Sequence, residues 1–329
     1  MDNFTHGLAG WALGQAGLKT KSRKGLAALI LGANMPDIDV FFGWVPWGPL
    51  ATHRGFTHGI GGILLMPPLL AGLLWLLDRW HVSRGKPFPS GLAMHVPWLV
   101  ALCYIGALTH PLLDLQTTYS VQLLSPFSNL WFHTETLFII DVWIWSALAF
   151  AIWMSRRRHW RGEANWIRPA MVGLAAAGTY VAVNGAISLG ARAALLGALP
   201  SGRAPDVVIA SEQPVLFWKR DLIWREKGAF GRASYDPFRS LGHVTAMQPL
   251  VPDNMGDPLV RRAVRTDPGI AAFMRWSFMP YAVIRRDGCK AEVSVGDARF
   301  GVDVGRGPLR RVVTLPLDGP GCEGTPAKR

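Results

Sequence analysis

HRGFTHGIGGILLMPPLLAGLLWLL, residues 53–77, decides how this chain is read. Its second part, residues 60–77, is an unbroken apolar run of the length a helix needs to cross a bilayer. Its first part sets His53, Arg54 and His58 directly against that run. Ionisable groups beside membrane-length apolar segments are costly and are usually kept for function. The Pro67-Pro68 pair predicts a kink, which neighbouring helices can absorb.

The same pattern recurs along the chain. Residues 96–113, 137–154 and 170–190 are three further candidate spans, the last rich in Gly and Ala that permit close helix contact. Residues 8–18 and 26–35 are shorter than a span and read as a helical hairpin packed into the bundle. No cleavable signal peptide is expected, because Lys19, Lys21, Arg23 and Lys24 follow the first apolar run instead of preceding it. Half of the 329 residues are hydrophobic and 17% are charged, which fits a polytopic membrane protein with a soluble part.

The net charge of +12 does not single out nucleic acid. Residues 1–199 carry 14 Lys and Arg against 8 Asp and Glu, and residues 200–329 carry 20 against 14. The first share lies in short runs between apolar segments, where headgroups and topology account for it. Twelve basic residues fall in three alternate loops: Lys19–Lys24, Arg79–Lys86 and Arg156–Arg168. The intervening loops, 34–59 and 110–136, carry Arg54 alone. That asymmetry predicts the three basic loops in the cytoplasm and the His/Asp clusters on the outer face.

After residue 199 the composition changes. Pro200, Ser201, Gly202 and Pro205 read as a linker, and short β-like runs follow at 207–209, 215–218 and 312–315. The expected architecture is a mainly α polytopic membrane helical bundle, residues 1–199, with a small β-rich α+β extramembrane domain, residues 200–329. The even number of spans puts that domain outside, where Cys289 and Cys322 either pair or stay as two thiols. The absence of CxxC argues against a thiolate zinc site.

Four clusters carry the chemistry: Thr5-His6, Pro36-Asp37-x-Asp39, His53 to His58, and His110-x-x-x-Asp114. Imidazole with carboxylate is the ligand set of zinc and related divalent ions. Pro36 places Asp37 and Asp39 where a helix ends, although aspartates also favour ordinary turns. Thr57 is positioned to cap a helix beginning near His58. His110 and Asp114 share one helical face, with Pro111 tolerable if His110 starts the helix. Arg54 suits a bidentate phosphate contact or an anchor to lipid headgroups. His133 and Glu135 fall on the same side and are candidates for supporting the ligands.

In this order the motifs resemble the bacterial inner-membrane metal-dependent hydrolase family, also described as LexA-binding, inner-membrane-associated hydrolases. The resemblance adds Asp2-x-x-Thr5-His6, Ser125-Pro126-Phe127 and Ile139-Ile140-Asp141 and covers about residues 1–150. It implies distant kinship with zinc-dependent phospholipase C and P1-type nucleases. It also implies a ligand set of His6, Asp37, Asp39, His53, His58, His110 and Asp114, with Asp141 as a further acid. Val142 stands where the family often has Pro.

The combined expectation is a membrane-bound metal-dependent hydrolase at the bacterial inner membrane, with its site and C-terminal domain on the periplasmic face. Two or more divalent ions, zinc first, would activate water against a phosphodiester or other ester of a lipid or lipid-linked substrate. Asp37 or Asp39 would serve as base and Arg54 would engage phosphate. No nucleic-acid partner is expected, and residues 200–329 are open to a protein partner. The alternative is a scaffold or regulatory membrane protein with a structural metal. A transporter would bring midplane charges and paired repeats, and neither is evident.

Overall fold

A computed structural model describes residues 1–42, 53–86, 90–199, 204–240, 242–301 and 309–317. The described residues form two compact units, one of 1–42, 53–188 and 212–218, the other of 189–211 and 219 onward.

The first unit is helical. Its elements are α1 (Asn3–Gln15), α2 (Gly25–Asn34), α3 (Ile60–Ser83), α4 (Val96–Asp114), α5 (Val142–Trp160) and α6 (Arg168–Ala198), whose last turns fall in the second unit. The expected hairpin is α1 and α2, packed on each other. Two apolar cores share it. Leu8, Ala9 and Ala12 of α1 meet Ile144, Leu148 and Ile152 of α5. Ala28 and Leu29 of α2 meet Leu70, Ala71 and Leu74 of α3 and Leu99, Leu102 and Cys103 of α4.

Three of these helices are long and apolar enough to cross a membrane: α3, α4 and α6. The sequence reading expected four, and α5 is the difference. It is 19 residues long, but it closes on Arg156, Arg157 and Arg158, which leaves too short an apolar stretch. On α3, Leu64, Leu65, Leu69, Leu73 and Leu76 are exposed, a large apolar face of the kind that meets lipid. Pro67 and Pro68 lie within α3 as expected.

The helices alternate in direction, so their ends gather at two poles. At one, the α1–α2 turn meets the end of α3 through Arg23 and Asp78 (3.4 Å) and the start of α4 through Ser22 and His95 (3.0 Å). At the other, the start of α1 meets the end of α4 and the start of α5.

The second unit holds the β structure. β1 (Val207–Glu212), β2 (Arg220–Glu226), β3 (Ala229–Tyr235), β4 (Val244–Thr245) and β5 (Val251–Pro252) make one sheet, with β2, β4 and β5 all antiparallel to β3. β6 (Pro280–Asp287), β7 (Lys290–Asp297) and β8 (Arg310–Pro316) make an antiparallel second sheet. Helices α7 (Pro258–Thr266) and α8 (Pro268–Trp276) complete it. Ile209, Ile223 and Phe230 of the first sheet share a core with Met279, Tyr281 and Ala298.

The runs at 207–209 and 312–315 are strands, as expected. The run at 215–218 is not. Val215 follows Pro214 and takes a positive φ of 68°, and Phe217 packs against Trp143 and Tyr180 of the helical unit. Phe217 is therefore held by helix packing and not by a sheet, while Val215 stays exposed. Pro200, Ser201 and Gly202 of the expected linker, and Cys322, lie outside the described residues; Cys103 is a buried free thiol.

Candidate metal centre

The site forms at one pole of the helical unit. Helix α2 stops at Asn34, and the chain continues as a 3-10 turn over Met35–Phe42, carrying Asp37 and Asp39 inward, both nearly buried. His58 precedes α3, whose N-cap is Gly59. The expected capping role of Thr57 is not realised. Its hydroxyl instead donates to Asp39 Oδ2 at 2.7 Å. Its proton is taken by a charge-assisted bond to the carboxylate, and the N-cap position falls two residues later, at Gly59. His110 lies in the last turn of α4, not at a helix start, so Pro111 is inside the helix near its end. There its missing N–H leaves Ala107 without its usual acceptance, a small loss so close to the terminus.

Asp37, His58, His110 and Asp114 form a buried group whose potential ligand atoms lie within 4.8 Å of one another. The two Nε2 atoms of His58 and His110 are 3.0 Å apart. His58 Nε2 is 3.3 Å from Asp37 Oδ1 and 3.3 Å from Asp114 Oδ2. His110 Nε2 is 3.2 Å and 3.4 Å from the same two oxygens.

The outer ring nitrogens fix the tautomers. His110 Nδ1 is 2.6 Å from the Ala33 carbonyl oxygen, which can only accept, so this nitrogen carries the proton. His58 Nδ1 is 2.9 Å from the Thr57 hydroxyl, whose own proton goes to Asp39, so it donates too. Both Nε2 atoms are then lone pairs facing each other and two carboxylate oxygens. Four acceptors without a proton among them repel unless a cation sits between them. Burial pushes the His58 pKa down to about 3, so a proton on that ring is no remedy at neutral pH. Two imidazoles and two carboxylates, each histidine oriented by an outer acceptor, match a divalent metal site.

A second group, Asp39, His53 and His58, shares His58 with the first. His53 Nδ1 is 2.8 Å from Asp39 Oδ1, and Asp39 Oδ2 also accepts from the Arg54 backbone N–H at 3.1 Å. Since His58 presents Nε2 to the first group, the structure favours Asp39 as the support of that centre.

The remaining candidates fall around it. His6 is fully buried, stacked on His110 with ring centroids 3.7 Å apart, and its Nε2 is 3.5 Å from Asp114 Oδ1. It is outside both four- and three-residue groups. Neither of its ring nitrogens has a hydrogen-bond partner among the described residues, and burial lowers its pKa. The Met1 amino group pairs with Asp114 Oδ1. Arg54 is buried with a φ of 65°; its Nη2 is 3.2 Å from Asp114 Oδ1, and its Nη1 donates to the Thr117 hydroxyl at 3.2 Å. The guanidinium also lies over the Tyr119 ring. His133 pairs with Glu135 at 2.8 Å.

Asp141 is not brought to the cluster. It caps α5, accepting from the N–H groups of Trp143 and Ile144 at 3.0 Å, and from the Tyr180 hydroxyl at 3.1 Å. Burial raises its pKa despite these donors. Its place just before an apolar helix start is what an N-cap needs, and that explains the acid without a metal. The sequence reading missed Ala33 and Thr117. Thr117 follows Asp114 by three, a spacing that hints at a shared turn; a backbone carbonyl such as that of Ala33 leaves no sequence signal.

Apolar helices of membrane length around a buried His/Asp group define a membrane protein with a candidate metal centre. The chain belongs to the YdjM inner membrane protein family, whose sequence profile matches residues 1–191. Those residues contain every member of both ligand groups. It is also similar to the uncharacterized protein YfhP of Bacillus subtilis (strain 168), 27% identical over 166 residues. That match spans 46% of this chain and 46% of the relative, about half the length of each. No solved structure matches the chain.

Proposed function

We propose that this protein is a membrane-bound metal-dependent hydrolase acting on a phosphodiester or related ester of a lipid or lipid-linked substrate. The observation that carries the reading is the pair of inward lone pairs on His58 and His110, converging with Asp37 and Asp114. A bound divalent ion would supply Lewis acidity and a water of lowered pKa there. The four-donor group supports one principal centre, with zinc favoured by its ligand types. Asp39 holds Thr57 and His53 in place. Arg54 stays cationic, burial pushing its pKa down only to about 10, and its planar fork suits a phosphate.

The apolar surroundings support a lipid substrate. Phe41 and Phe127 are each 80% exposed, in the segments next to Asp39 and beside the start of α3. Large apolar side chains left in the open at the site's own pole suit contact with acyl chains. The charge asymmetry supports a periplasmic site, testable by labelling single cysteines introduced at Gln116 and Arg157 with an impermeant reagent. Labelling at Gln116 alone agrees; the reverse pattern refutes that orientation.

A second reading has one observation in its favour. All four ligands of the group are buried, as in structural metal sites. The protein would then be a scaffold, with residues 200–329 as its partner-binding part. The deciding experiment is hydrolysis of a panel of phospholipids and chromogenic phosphodiesters by metal-loaded protein, with Asp39→Asn and Arg54→Ala beside it. Turnover that falls by about a hundredfold in Asp39→Asn supports the hydrolase. Arg54→Ala should chiefly raise KM. Full metal occupancy without turnover of any ester supports the scaffold.

A further inference from the structure

The pole opposite the metal centre carries a cavity of about 400 Å³, lined among others by Lys19, Ser22, Lys24, Leu26, Leu92 and His159. It opens where the α1–α2 turn, the start of α2, the 90–92 segment and the end of α5 meet. Its walls are pinned: Arg23 Nε donates to the Leu92 carbonyl at 2.8 Å, and Arg23 N–H donates to the Ala93 carbonyl at 2.9 Å. Asp78 is buried against Arg23 and does not line the cavity. Lys19, Lys24 and His159 thus line a concave wall together with the first residues of the ten-residue α2, whose dipole adds positive potential; Lys19 Nζ also donates to Gln15 Oε1 at 2.9 Å, and Lys24 Nζ lies 3.1 Å from His81 Nδ1.

A separate observation places this cavity at the level of lipid headgroups. Basic side chains at the same pole lie over tryptophan rings: Lys19 over Trp166 (4.6 Å), Lys21 over Trp98 (5.3 Å), Arg84 over Trp80 (5.2 Å), Arg156 over Trp160 (4.9 Å) and Arg157 over Trp153 (5.5 Å). Tryptophan and cationic side chains gather where a membrane protein meets the bilayer interface. Basic pockets between helices at that level bind anionic headgroups.

We propose that this cavity is a binding site for a phosphate group, carried by an anionic phospholipid headgroup at the bilayer interface. Lys19 and Lys24 neutralise the phosphate, and Leu26 and Leu92 border the start of an acyl chain. The volume lies in the range of small-molecule sites. The site is distinct from the metal centre and shares no residue with it.

The test uses the full-length protein in neutral detergent micelles. Retention of phosphatidylglycerol and phosphatidylcholine is measured by native mass spectrometry, with inorganic phosphate as competitor. Phosphatidylglycerol is expected to be retained in saturable fashion and preferred about tenfold or more. Lys19→Gln with Lys24→Gln should remove that preference, Lys19→Arg with Lys24→Arg should keep most of it, and metal content should stay unchanged in both. Arg84→Gln with Lys86→Gln, on the same pole outside the cavity, should change retention less than twofold. If inorganic phosphate alone saturates the site and displaces the lipid completely, the phosphate site stands and the free anion is its occupant. Equal retention of both lipids, unchanged retention in the Lys19/Lys24 glutamine pair, or an equal loss in the Arg84/Lys86 pair would overturn the proposal.

Discussion

The two poles of the helical unit are built by the ends of the same helices, yet they treat charge in opposite ways. At the metal pole Asp37, His58, His110 and Asp114 are buried against one another. At the basic pole lysines and arginines remain at the surface, with charged ends over tryptophan rings. Burying ionised groups is expensive unless they are paired or hold a metal, whereas long cationic chains reach water while covering apolar surface. The first pole is therefore an arrangement suited to a bound cation, and the second is one that a bilayer interface stabilises by itself.

The largest expected effect comes from breaking the first arrangement. His110→Ala should lower metal affinity more than a hundredfold and release bound metal on dialysis, read by elemental analysis per chain. Retained stoichiometric metal would remove His110 from the centre and erase the contrast between the poles. A step smaller, Thr57→Val keeps all four donors but removes the hydroxyl that bridges Asp39 and His58, leaving His58 Nδ1 with Asp39 Oδ2 at 3.5 Å. Loss of such an orienting partner typically costs about 10–100-fold in metal affinity. An unchanged dissociation constant would show that the His58 tautomer needs no help from the Thr57 hydroxyl.

Acid should separate the poles as well. The His58 pKa in the folded chain lies near 3, below the ordinary 6.5. The unfolded chain takes up a proton there that the folded, metal-free chain refuses. Stability from this group is complete above pH 6.5 and is lost as pH falls from 6.5 toward 3, by about 1.4 kcal/mol per unit. Denaturant melts of metal-free protein at stepped pH would show it. A flat response across that window would mean that His58 is not held neutral by burial. The smallest effect belongs to the basic pole. Arg84→Gln with Lys86→Gln should shift stability by no more than about 0.5 kcal/mol, since both side chains are exposed. A shift of several kcal/mol would mean that this surface is packed in the way the metal pole is.

Much of the metal pole was legible because its signals are local. Pro36 marks the end of α2, and the i,i+4 spacing of His110 and Asp114 puts both on one face. The fourth span, expected at 137–154, was misread because the helix begins only at Val142, and the arginines at 156–158 then close it before it is long enough. The strand expected at 215–218 failed because its Phe217 packs on Trp143 and Tyr180, far away in sequence.

By itself the sequence pointed to the histidines and aspartates that form the buried group and to three segments apolar enough to cross a membrane, besides a fourth that is not. Composition and spacing suffice for that, because hydrophobic transfer and ligand type are properties of the residues themselves. Only the tertiary structure decided which candidates meet. Helices α2 and α4 touch backbone to backbone: a Cβ at Gly106 would lie 2.5 Å from the Leu29 carbonyl oxygen, and one at Gly32 would lie 2.7 Å from that of Cys103. That approach brings the Ala33 carbonyl onto His110 and turns its Nε2 toward Asp37, 73 residues earlier in the chain. The same packing leaves Asp141 as a helix cap and His6 as a stacked neighbour. No spacing rule reaches across that distance; the shape of two glycine-lined helix faces does.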